Sequence, residues 1–311
     1  MSKKELKSTR DGFGEGLLEA GIQNENVVAL SADLTESTRT NLFAEKFPER
    51  FTQVGVAEQN LASVASGMAV MGKIPFITSF AIFSPGRNWE QIRTTIAYNN
   101  TNVKIIGSHA GVVTGPDGGS HQMLEDVALM RVIPRMTVFS PADFEEAKQM
   151  TLEAVKIKGP VYIRLSRIAV PELEKAELFS PVGKNNSASE DFQVGIIATG
   201  HLVQQALLAS QELKKEKITT KVLNLSIIKP LDEKMILEFV KKSKGIVTVE
   251  DHQLAGGMGS AVAEFLAQNY PIKIKFVAVK DQFGQSGTPE QLLRHYELDA
   301  TAIKKAVYEL Q

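Results

Sequence analysis

The sequence of 311 residues contains no cysteine. This absence excludes a disulfide framework, thiolate zinc sites and thiol catalysis, and it fits a reducing compartment. Long hydrophobic runs are also absent: the most apolar stretch, Leu61–Met71, is interrupted by Ser63 and Gly67, whereas a membrane-spanning helix needs about 20 apolar residues. The basic first residues lack the apolar core of a signal peptide. We therefore expect a cytoplasmic protein with no membrane partner.

An excess of charge of one sign is missing as well. There are 35 Lys and Arg residues against 36 Asp and Glu residues, which leaves a formal net charge of −1. No global basic field therefore favours nucleic acid or anionic lipid. The glycine-rich stretches at 12–16, 199–201 and 256–259 match neither G-x-G-x-x-G nor the P-loop. The five histidines show no metal-ligand spacing, so we expect no transition-metal site held by this protein alone.

What is present is an alternation of short apolar runs with longer segments of helical period. Such alternation predicts an α/β fold whose sheets are mostly parallel and flanked by helices. Asp143 precedes the third helical segment and is expected to cap it. The predicted strands are Val27–Ser31, Phe51–Val54, Ile74–Thr78, Val103–Gly107, Thr137–Ser140, Val161–Leu165, Val194–Ala198, Lys221–Leu225, Ile246–Val249 and Lys273–Val279. The clearest helical patterns are Leu61–Val70, Trp89–Ala97 and Phe144–Val155.

The alternation stops at Ser180–Asp191, a polar stretch that contains Pro, Gly, two Asn and three Ser. Such composition is typical of a linker. We therefore predict two domains, 1–180 and 192–311, joined by a linker at 181–191. The second domain shows no evident chemistry, and we expect it to form a subunit interface. His201 and His252 are interpreted as surface or capping residues.

Polar and aromatic side chains concentrate where strands of the first domain end. Open α/β sheets bind ligands at the carboxyl ends of their strands. Each residue alone has a structural interpretation: Glu58 as a helix N-terminal acid, Asp117 as part of a turn. Together, at consecutive strand ends, they indicate a functional site. In chain order the main candidates are Asp33, Ser37, Glu58, Phe80, Phe83, His109, Asp117 and His121.

At these residues the sequence resembles a known family. The runs are Ser31-Ala-Asp-Leu-Thr35, Gly55-Val-Ala-Glu58, Asp117-Gly-Gly-Ser-His121-Gln122 and Leu165-Ser-Arg167. In this order they resemble the C-terminal half of a transketolase, and most of all the separate C-terminal subunit of split transketolases. The similarity covers nearly the whole chain. The first and third runs are specific together, whereas the match over the second domain is diffuse.

The resemblance implies a thiamine-diphosphate pyrimidine-binding domain followed by a transketolase C-terminal domain. It implies transfer of a two-carbon ketol unit from a ketose phosphate to an aldose phosphate, as in the pentose phosphate pathway. The family uses thiamine diphosphate with Mg²⁺ or Ca²⁺. This sequence has no Gly-Asp-Gly followed by a distant Asn, the family's metal–diphosphate motif. We therefore expect a separate N-terminal subunit to hold most of the metal site, in an α₂β₂ assembly.

The resemblance also assigns roles to individual residues. Glu58 is expected to hydrogen-bond the pyrimidine N1′ of the cofactor and favour the imino tautomer that accepts the C2 proton. Phe80 and Phe83 are expected to pack against the pyrimidine ring, and Asp33 to contact the cofactor. Asp117 and His121 match residues that hydrogen-bond the sugar near its reacting carbons. The positions expected to hold the substrate phosphate are Arg10, Ser37, His109 and Arg167; arginine suits this role because its planar fork binds phosphate through two hydrogen bonds.

Three positions depart from the full-length family pattern: Gly86 replaces an aromatic residue, Ala110 an acid, and Gln59 a histidine. They leave the sugar specificity open. Two alternatives use the same fold: another thiamine-dependent subunit, such as a 2-oxo acid dehydrogenase β subunit or a deoxyxylulose-phosphate-synthase-like chain, or a non-catalytic assembly chain. Asp117 and His121 argue against a dehydrogenase β subunit, and retention of Glu58 with both histidines argues against a non-catalytic chain.

Overall fold

The structure, a computed structural model, describes residues 5–173, 178–179 and 191–311. Apart from Asp191, the predicted linker 181–191 lies outside the described residues. The helices are α1 (Thr9–Gln23), α2 (Asn41–Lys46), α3 (Glu58–Val70), α4 (Trp89–Gln91, continued by a π-helical turn Ile92–Ala97), α5 (Asp126–Arg131), α6 (Phe144–Lys156), α7 (Val203–Lys215), α8 (Glu233–Val240), α9 (Met258–Asn269), α10 (Pro289–His295) and α11 (Ala300–Tyr308). Short 3₁₀ turns lie at Pro48–Arg50, Val112–Asp117 and Gly200–Leu202. None of the described helices is long and apolar enough to cross a membrane.

The described strands form three sheets. They are β1 (Leu6–Ser8), β2 (Val27–Ser31), β3 (Phe51–Gln53), β4 (Ile74–Phe80), β5 (Lys104–Ser108), β6 (Thr137–Phe139), β7 (Val161–Arg164), β8 (Ala169–Pro171), β9 (Leu178–Phe179), β10 (Val194–Ala198), β11 (Thr220–Asn224), β12 (Ile227–Lys229), β13 (Ile246–Gln253) and β14 (Ile274–Val279). The order is β12-β6-β7-β5-β4-β2-β3 in the first sheet and β14-β13-β10-β11-β9 in the second. All pairs in both are parallel except β12 with β6. The predicted α/β architecture is confirmed.

The central strands are buried on both faces because helices cover both sides of the sheet. Every residue of β2 is buried, as is every residue of β5. The third predicted helix begins where expected: the Asp143 carboxylate accepts a hydrogen bond from the Glu146 backbone N–H at 2.9 Å. Such a cap stabilises a helix by about 1 kcal/mol.

A third, two-stranded sheet pairs β1 with β8 in antiparallel fashion. It brings the start of α1 next to the segment that follows β7. The Thr9 hydroxyl donates to the Ser166 carbonyl at 3.1 Å and accepts from the Ser166 N–H at 2.8 Å. The consequence is that Arg10 and Arg167, far apart in sequence, lie on the same side of the molecule.

The two halves of the chain pack as one body. Strand β12, from the second half, forms the antiparallel edge of the first sheet through the pair Ile227↔Phe139. One hydrophobic core contains Met130 from the first half and Met258 from the second, each fully buried. The two halves therefore share a hydrophobic core. The predicted domain boundaries, 1–180 and 192–311, stay a prediction.

The interpretation of His201 and His252 as surface residues is wrong. Their exposed fractions are 4% and 1%. The capping alternative is confirmed for His252, whose Nε2 accepts from the Ala128 N–H in the first turn of α5 at 3.3 Å. Burial, with a smaller contribution from Arg164, lowers the pKa of His201 to about 3. Both residues face the contact between the two halves, which the sequence pattern did not reveal.

Candidate active site

The candidate residues follow neighbouring parallel strands of the first sheet. In the spatial order β7-β5-β4-β2-β3, these strands are followed by Arg167, His109, Phe80 at the end of β4, Asp33 and Glu58. Parallel strands end at one edge of a sheet, about 4.8 Å apart. The topology therefore places the candidates in a row, with Arg167 at one end and Glu58 at the other.

Glu58, the first residue of α3, defines one end of the row. Its side chain is 1% exposed, and its Oε2 accepts a hydrogen bond from Arg87 Nη1 at 2.7 Å. Its Oε1 is buried and has no hydrogen-bond partner in the described part of the chain. The Asn88 side-chain amide donates to the Glu58 backbone carbonyl at 2.9 Å, which fixes the start of the helix. This arrangement leaves one carboxylate oxygen available to a ligand.

Two phenylalanines lie between Glu58 and the rest of the row. The rings of Phe80 and Phe83 are nearly parallel, at 10° with centroids 6.1 Å apart. His121 meets both rings edge-on, with centroids 6.5 and 5.6 Å away. The Arg87 guanidinium lies 4.5 Å from the Phe83 ring centroid, a cation–π contact. We call Glu58, Phe80, Phe83 and Arg87 the carboxylate end of the site.

His109 starts the opposite half. It has a left-handed backbone conformation (φ 57°) and is 2% exposed, with its ring stacked on Phe80 at 3.8 Å. Burial, followed by the positive charges of Arg10, Arg167 and Arg39, lowers the pKa of His109 to about 3. The imidazole is therefore neutral near pH 7. Because a guanidinium can only donate, His109 Nε2 accepts from Arg10 Nη1 at 3.3 Å, and Nδ1–H donates to the Ser108 hydroxyl at 2.9 Å.

Arg10 lies in the first turn of α1, which Ser8 and Asp11 fix through a reciprocal capping box. Its Nη1 also donates to the Ser37 carbonyl at 3.2 Å, and its Nε is buried without a partner in the described chain. Burial and the neighbouring positive charges of Arg39 and Arg167 lower the pKa of Arg10. Converging positive charge with an unused donor is what an anion-binding site requires.

Arg167 meets Asp117 in the same region. Its Nη1 donates to the Thr114 carbonyl at 3.1 Å and to Asp117 Oδ2 at 3.2 Å. Both side chains are more than one-third exposed, so this ion pair contributes little stability by itself. The Ser120 hydroxyl and His121 Nδ1 lie 3.0 Å apart. We call Arg10, His109, Asp117, His121 and Arg167 the arginine end.

Two candidates join these clusters less directly. Ser37 contributes its backbone carbonyl to Arg10, rather than its hydroxyl. Asp33 is exposed at the end of β2, and its N–H donates to Gln53 Oε1 at 2.7 Å. Within the described residues, Asp33 makes no hydrogen bond to another candidate. Its predicted contact with a cofactor stays a prediction.

Sequence reasoning missed two neighbours of the candidate residues, Arg87 and Arg39, and included Gln122 only as part of a motif, without a role. Arg87 was detectable, because it lies four residues after Phe83, within reach along a helical turn. No sequence pattern indicated Arg39, since a left-handed turn (φ 64°) directs its side chain to Asp11 at 2.6 Å.

The departure from the family pattern at Gly86 has a steric reason. A Cβ there would lie 2.0 Å from the Ile82 carbonyl oxygen, so no aromatic side chain fits without a backbone shift.

Cavity shape does not identify this site. Cavities of about 360 and 540 Å³ lie elsewhere, the first lined by Lys7 and Phe144 and the second by Gln253 and Phe283. Neither is lined by a candidate residue. In the described ranges, no group of three or more His, Asp or Glu side chains is arranged to hold a metal ion. The assignment therefore rests on side-chain chemistry: a buried carboxylate, an aromatic pair and an arginine cluster.

Comparison with known proteins shows the family to which the chain belongs. The model of the transketolase pyrimidine-binding domain matches residues 5–172, and that of the transketolase C-terminal domain matches residues 183–303. A protein of Methanocaldococcus jannaschii, provisionally named a transketolase C-terminal section, is 45% identical over 308 residues, covering 97% of this chain and 96% of the relative. A 6-deoxy-6-sulfo-D-fructose transketolase subunit of a Clostridium species is 38% identical, covering 97% of this chain and 94% of the relative.

A longer relative and a solved structure show the same similarity. Human transketolase is 37% identical over 304 residues, which cover 96% of this chain and 48% of the human protein. A structure titled split gene transketolase, inactive β4 tetramer, superposes with a TM-score of 0.87 at 43% identity, covering 97% of this chain and 98% of that one. The similarity thus spans both halves of the chain and a solved protein of the same length.

Proposed function

Because this chain belongs to the transketolase family, we propose that it is the C-terminal subunit of a two-chain transketolase that depends on thiamine diphosphate. The reaction we assign to it moves a two-carbon ketol unit from a ketose phosphate to an aldose phosphate. The observation that carries the proposal is the buried, unpartnered Glu58 Oε1 beside an aromatic pair. The family is thiamine-diphosphate dependent with a divalent metal; the identity of the metal and the cytoplasmic location stay predictions.

The residues of the carboxylate end fit the pyrimidine part of that cofactor. Glu58 offers one buried oxygen to a ring nitrogen, while Arg87 occupies the other at 2.7 Å. Phe80 and Phe83 offer near-parallel apolar faces to a flat ring. When bound, thiamine diphosphate supplies the acidic C2 position at which carbonyl carbon–carbon bonds are broken and formed. The role of Glu58 is to hold a proton at the pyrimidine N1′, as a positioned general acid–base group does.

The arginine end fits the distal anion of a sugar. Arg10 and Arg167 supply planar donors, and neutral His109 offers a ring between them and Phe80. Within this end, Asp117 pairs with Arg167 and His121 packs against the aromatic pair, where both would hydrogen-bond sugar hydroxyls. A sulfonate, which the name of the Clostridium relative includes, presents similar anionic oxygens. We propose phosphate as the anion for this chain.

We propose that a separate N-terminal subunit supplies the metal and diphosphate site. Two observations support this: the sequence lacks the family's metal–diphosphate motif, and a relative named as a transketolase subunit matches this chain over 94% of its own length. The solved relative is titled as an inactive tetramer of one subunit type, which fits a chain that is inactive by itself. An α₂β₂ assembly is the proposed active form.

The test is co-expression with the N-terminal subunit, recognised by a Gly-Asp-Gly motif and a later Asn, followed by an assay of two-carbon transfer. The panel contains ketose and aldose phosphates and one sulfonated ketose. Transfer from ketose phosphates supports the proposal, and a strong preference for the sulfonate corrects the anion. Decarboxylation of 2-oxo acids without ketol transfer would indicate a dehydrogenase β subunit. A partner-bound complex inactive on the whole panel would indicate a non-catalytic chain.

A further inference from the structure

We propose that the second half of the chain positions the sugar-binding part of the site. A loop of that half, residues 281–288, interlocks with the segment 109–122, which we call the histidine loop because it carries His109 and His121. Gln122 is the positioning residue of this interlock. The inference rests on the proposed function for its kinetic consequence and on the contacts below for its geometry. It adds a role to the subunit interface that we expect the second half to form.

Gln122 links the two loops through its side-chain amide. The residue is 3% exposed, and its Nε2 lies within hydrogen-bond distance of three carbonyl oxygens. Two belong to the histidine loop, Val112 at 3.0 Å and Gly115 at 3.2 Å. The third belongs to Gln285 in the other half, at 2.9 Å. A buried amide shared in this way fixes the distance between the two segments, because leaving those carbonyls unpaired would be costly.

The two loops also approach too closely for side chains at their contact. A Cβ placed on Gly284 would lie 1.7 Å from Gln122 Oε1, and one on Gly119 would lie 2.4 Å from the Gly284 carbonyl oxygen. Neither glycine has a positive φ. The close approach of the loops therefore leaves no room for a Cβ at Gly119, and a Cβ at Gly284 would displace the Gln122 amide.

The 281–288 loop is held firmly by its own half. Gln253 donates to the Gln282 carbonyl at 2.7 Å, and the Tyr296 hydroxyl donates to the Phe283 carbonyl at 2.8 Å. Thr288 ends the loop as the capping-box residue of α10. Because both ends of this loop are fixed to the second half, a displacement of the loop or of that half would also displace the histidine loop that packs against it.

A second contact fixes the other end of the histidine loop. Asp251, at 1% exposure in β13, accepts from the Val112 N–H at 2.9 Å and lies 3.5 Å from the Val113 N–H. Arg164 Nη2 donates to the Asp251 backbone carbonyl at 2.6 Å, which ties β13 to the first sheet. The histidine loop is thus hydrogen-bonded to Asp251 at Val112 and to the 281–288 loop through Gln122. Asp117 and His121 lie between these two attachment points, so the contacts fix where their side chains are placed.

The experiment uses the two-chain complex and three variants: Gly284→Ala, Gln122→Ala and the double variant. Gly284→Ala should lower kcat/KM for the ketose phosphate by about 10- to 100-fold, because a shift of about 1 Å in positioned groups costs that order. C2 hydrogen–deuterium exchange of bound thiamine diphosphate, which reports on Glu58, should change by less than about threefold. Amide exchange of residues 115–122 should accelerate. Gly287→Ala is the matched control, since its methyl group would meet the movable Leu292 side chain at 3.2 Å instead of the histidine loop.

The double variant tests the contact itself. Gln122→Ala removes the oxygen that the Gly284→Ala methyl group meets, so the double variant should lose no more than Gln122→Ala alone, a clear departure from additivity. Additive losses, or Gly284→Ala kinetics equal to those of the Gly287→Ala control, would overturn the inference. If the wild-type complex transfers no ketol unit, the proposed function fails. In that case the amide exchange of residues 115–122 alone tests the contact between the two loops. Exchange that is equal in Gly284→Ala and in the wild type would overturn the inference.

Discussion

The two ends of the candidate site differ in the kind of hydrogen-bonding group that each leaves unused among the described residues. At the arginine end, Arg10 meets His109 and Ser37 and Arg167 meets Asp117, but the Arg10 Nε donor is buried without a partner. At the carboxylate end, Glu58 is paired on one oxygen and leaves the other buried and unpartnered among the described residues. The difference teaches that one end leaves a donor free for an anion and the other leaves an acceptor free for a ligand N–H or O–H. The first three predictions below test these two ends, and the last tests the buried histidines.

The largest effect is expected at the carboxylate end. Glu58→Gln keeps a hydrogen-bond acceptor but cannot share a proton with N1′. C2 hydrogen–deuterium exchange of the bound cofactor should slow by about 10²- to 10⁴-fold, the usual contribution of a general acid–base group. Assembly with the partner should survive. Glu90→Gln, an exposed change nearby, is the control; near-normal exchange in Glu58→Gln would mean that Glu58 is only a helix-terminal acid.

A smaller effect is expected at the arginine end. Arg167→Ala should lower kcat/KM for phosphorylated ketoses by about 10- to 200-fold, because a charge-assisted contact contributes roughly 1.5–3 kcal/mol. The loss should appear mainly in KM, since the phosphate is remote from the bonds that change. Activity on hydroxypyruvate, which has no phosphate, should change little. Exposed Arg93→Ala is the control, and equal losses for both donors would reduce Arg167 to a structural partner of Asp117.

The pairing of Arg87 with Glu58 gives a third prediction. Arg87→Ala leaves a carboxylate of 1% exposure without its cation, so the free energy of unfolding should fall by about 1–2 kcal/mol. Adding Glu58→Gln should recover part of this loss, because a buried amide tolerates the missing guanidinium better than a carboxylate does. Chemical denaturation of the four proteins measures the coupling. Strictly additive losses would show that the ion pair does not hold Glu58 in place.

The last prediction concerns the pH dependence of stability, which follows from two buried histidines. Burial depresses the folded-state pKa of His109 and His201 to about 3, below the unfolded value of about 6.5. The unfolded chain therefore takes up protons first as pH falls, and stability is lost between about pH 6.5 and 3, by up to about 1.4 kcal/mol per unit for each histidine. His201→Gln should flatten this acid slope in denaturation curves measured from pH 7 to 5. An unchanged slope would mean that His201 titrates normally.

The sequence was sufficient for much of the fold. The predicted bounds of Val27–Ser31 and Val194–Ala198 match β2 and β10, because fully buried parallel strands read as uninterrupted apolar runs. Strand β12 was missed, since three residues at an antiparallel edge carry no periodic signal. Helix α1 was missed because four of its residues are glycine or acidic within its first two turns, which hides its apolar face.

The site was only partly predictable for a similar reason. Phe80 ends β4, His109 directly follows β5, and Glu58 begins the helix after β3, so topology alone brings them together. Gln122 appeared in a recognised motif, but its role depends on a carbonyl 163 positions later in the chain. Asp251 likewise acts on backbone groups 139 positions earlier. Contacts of such sequence separation leave no local pattern, so only the folded chain reveals them.

The central claim, that this chain holds half of an active site, is tested most directly by adding the partner to it in measured amounts. The readouts are thiamine diphosphate binding and C2 hydrogen–deuterium exchange for the isolated chain and for mixtures with the N-terminal subunit. We predict weak or no binding by the isolated chain, with both signals rising together and saturating as the partner is added. Full ketol transfer by the isolated chain would contradict the account.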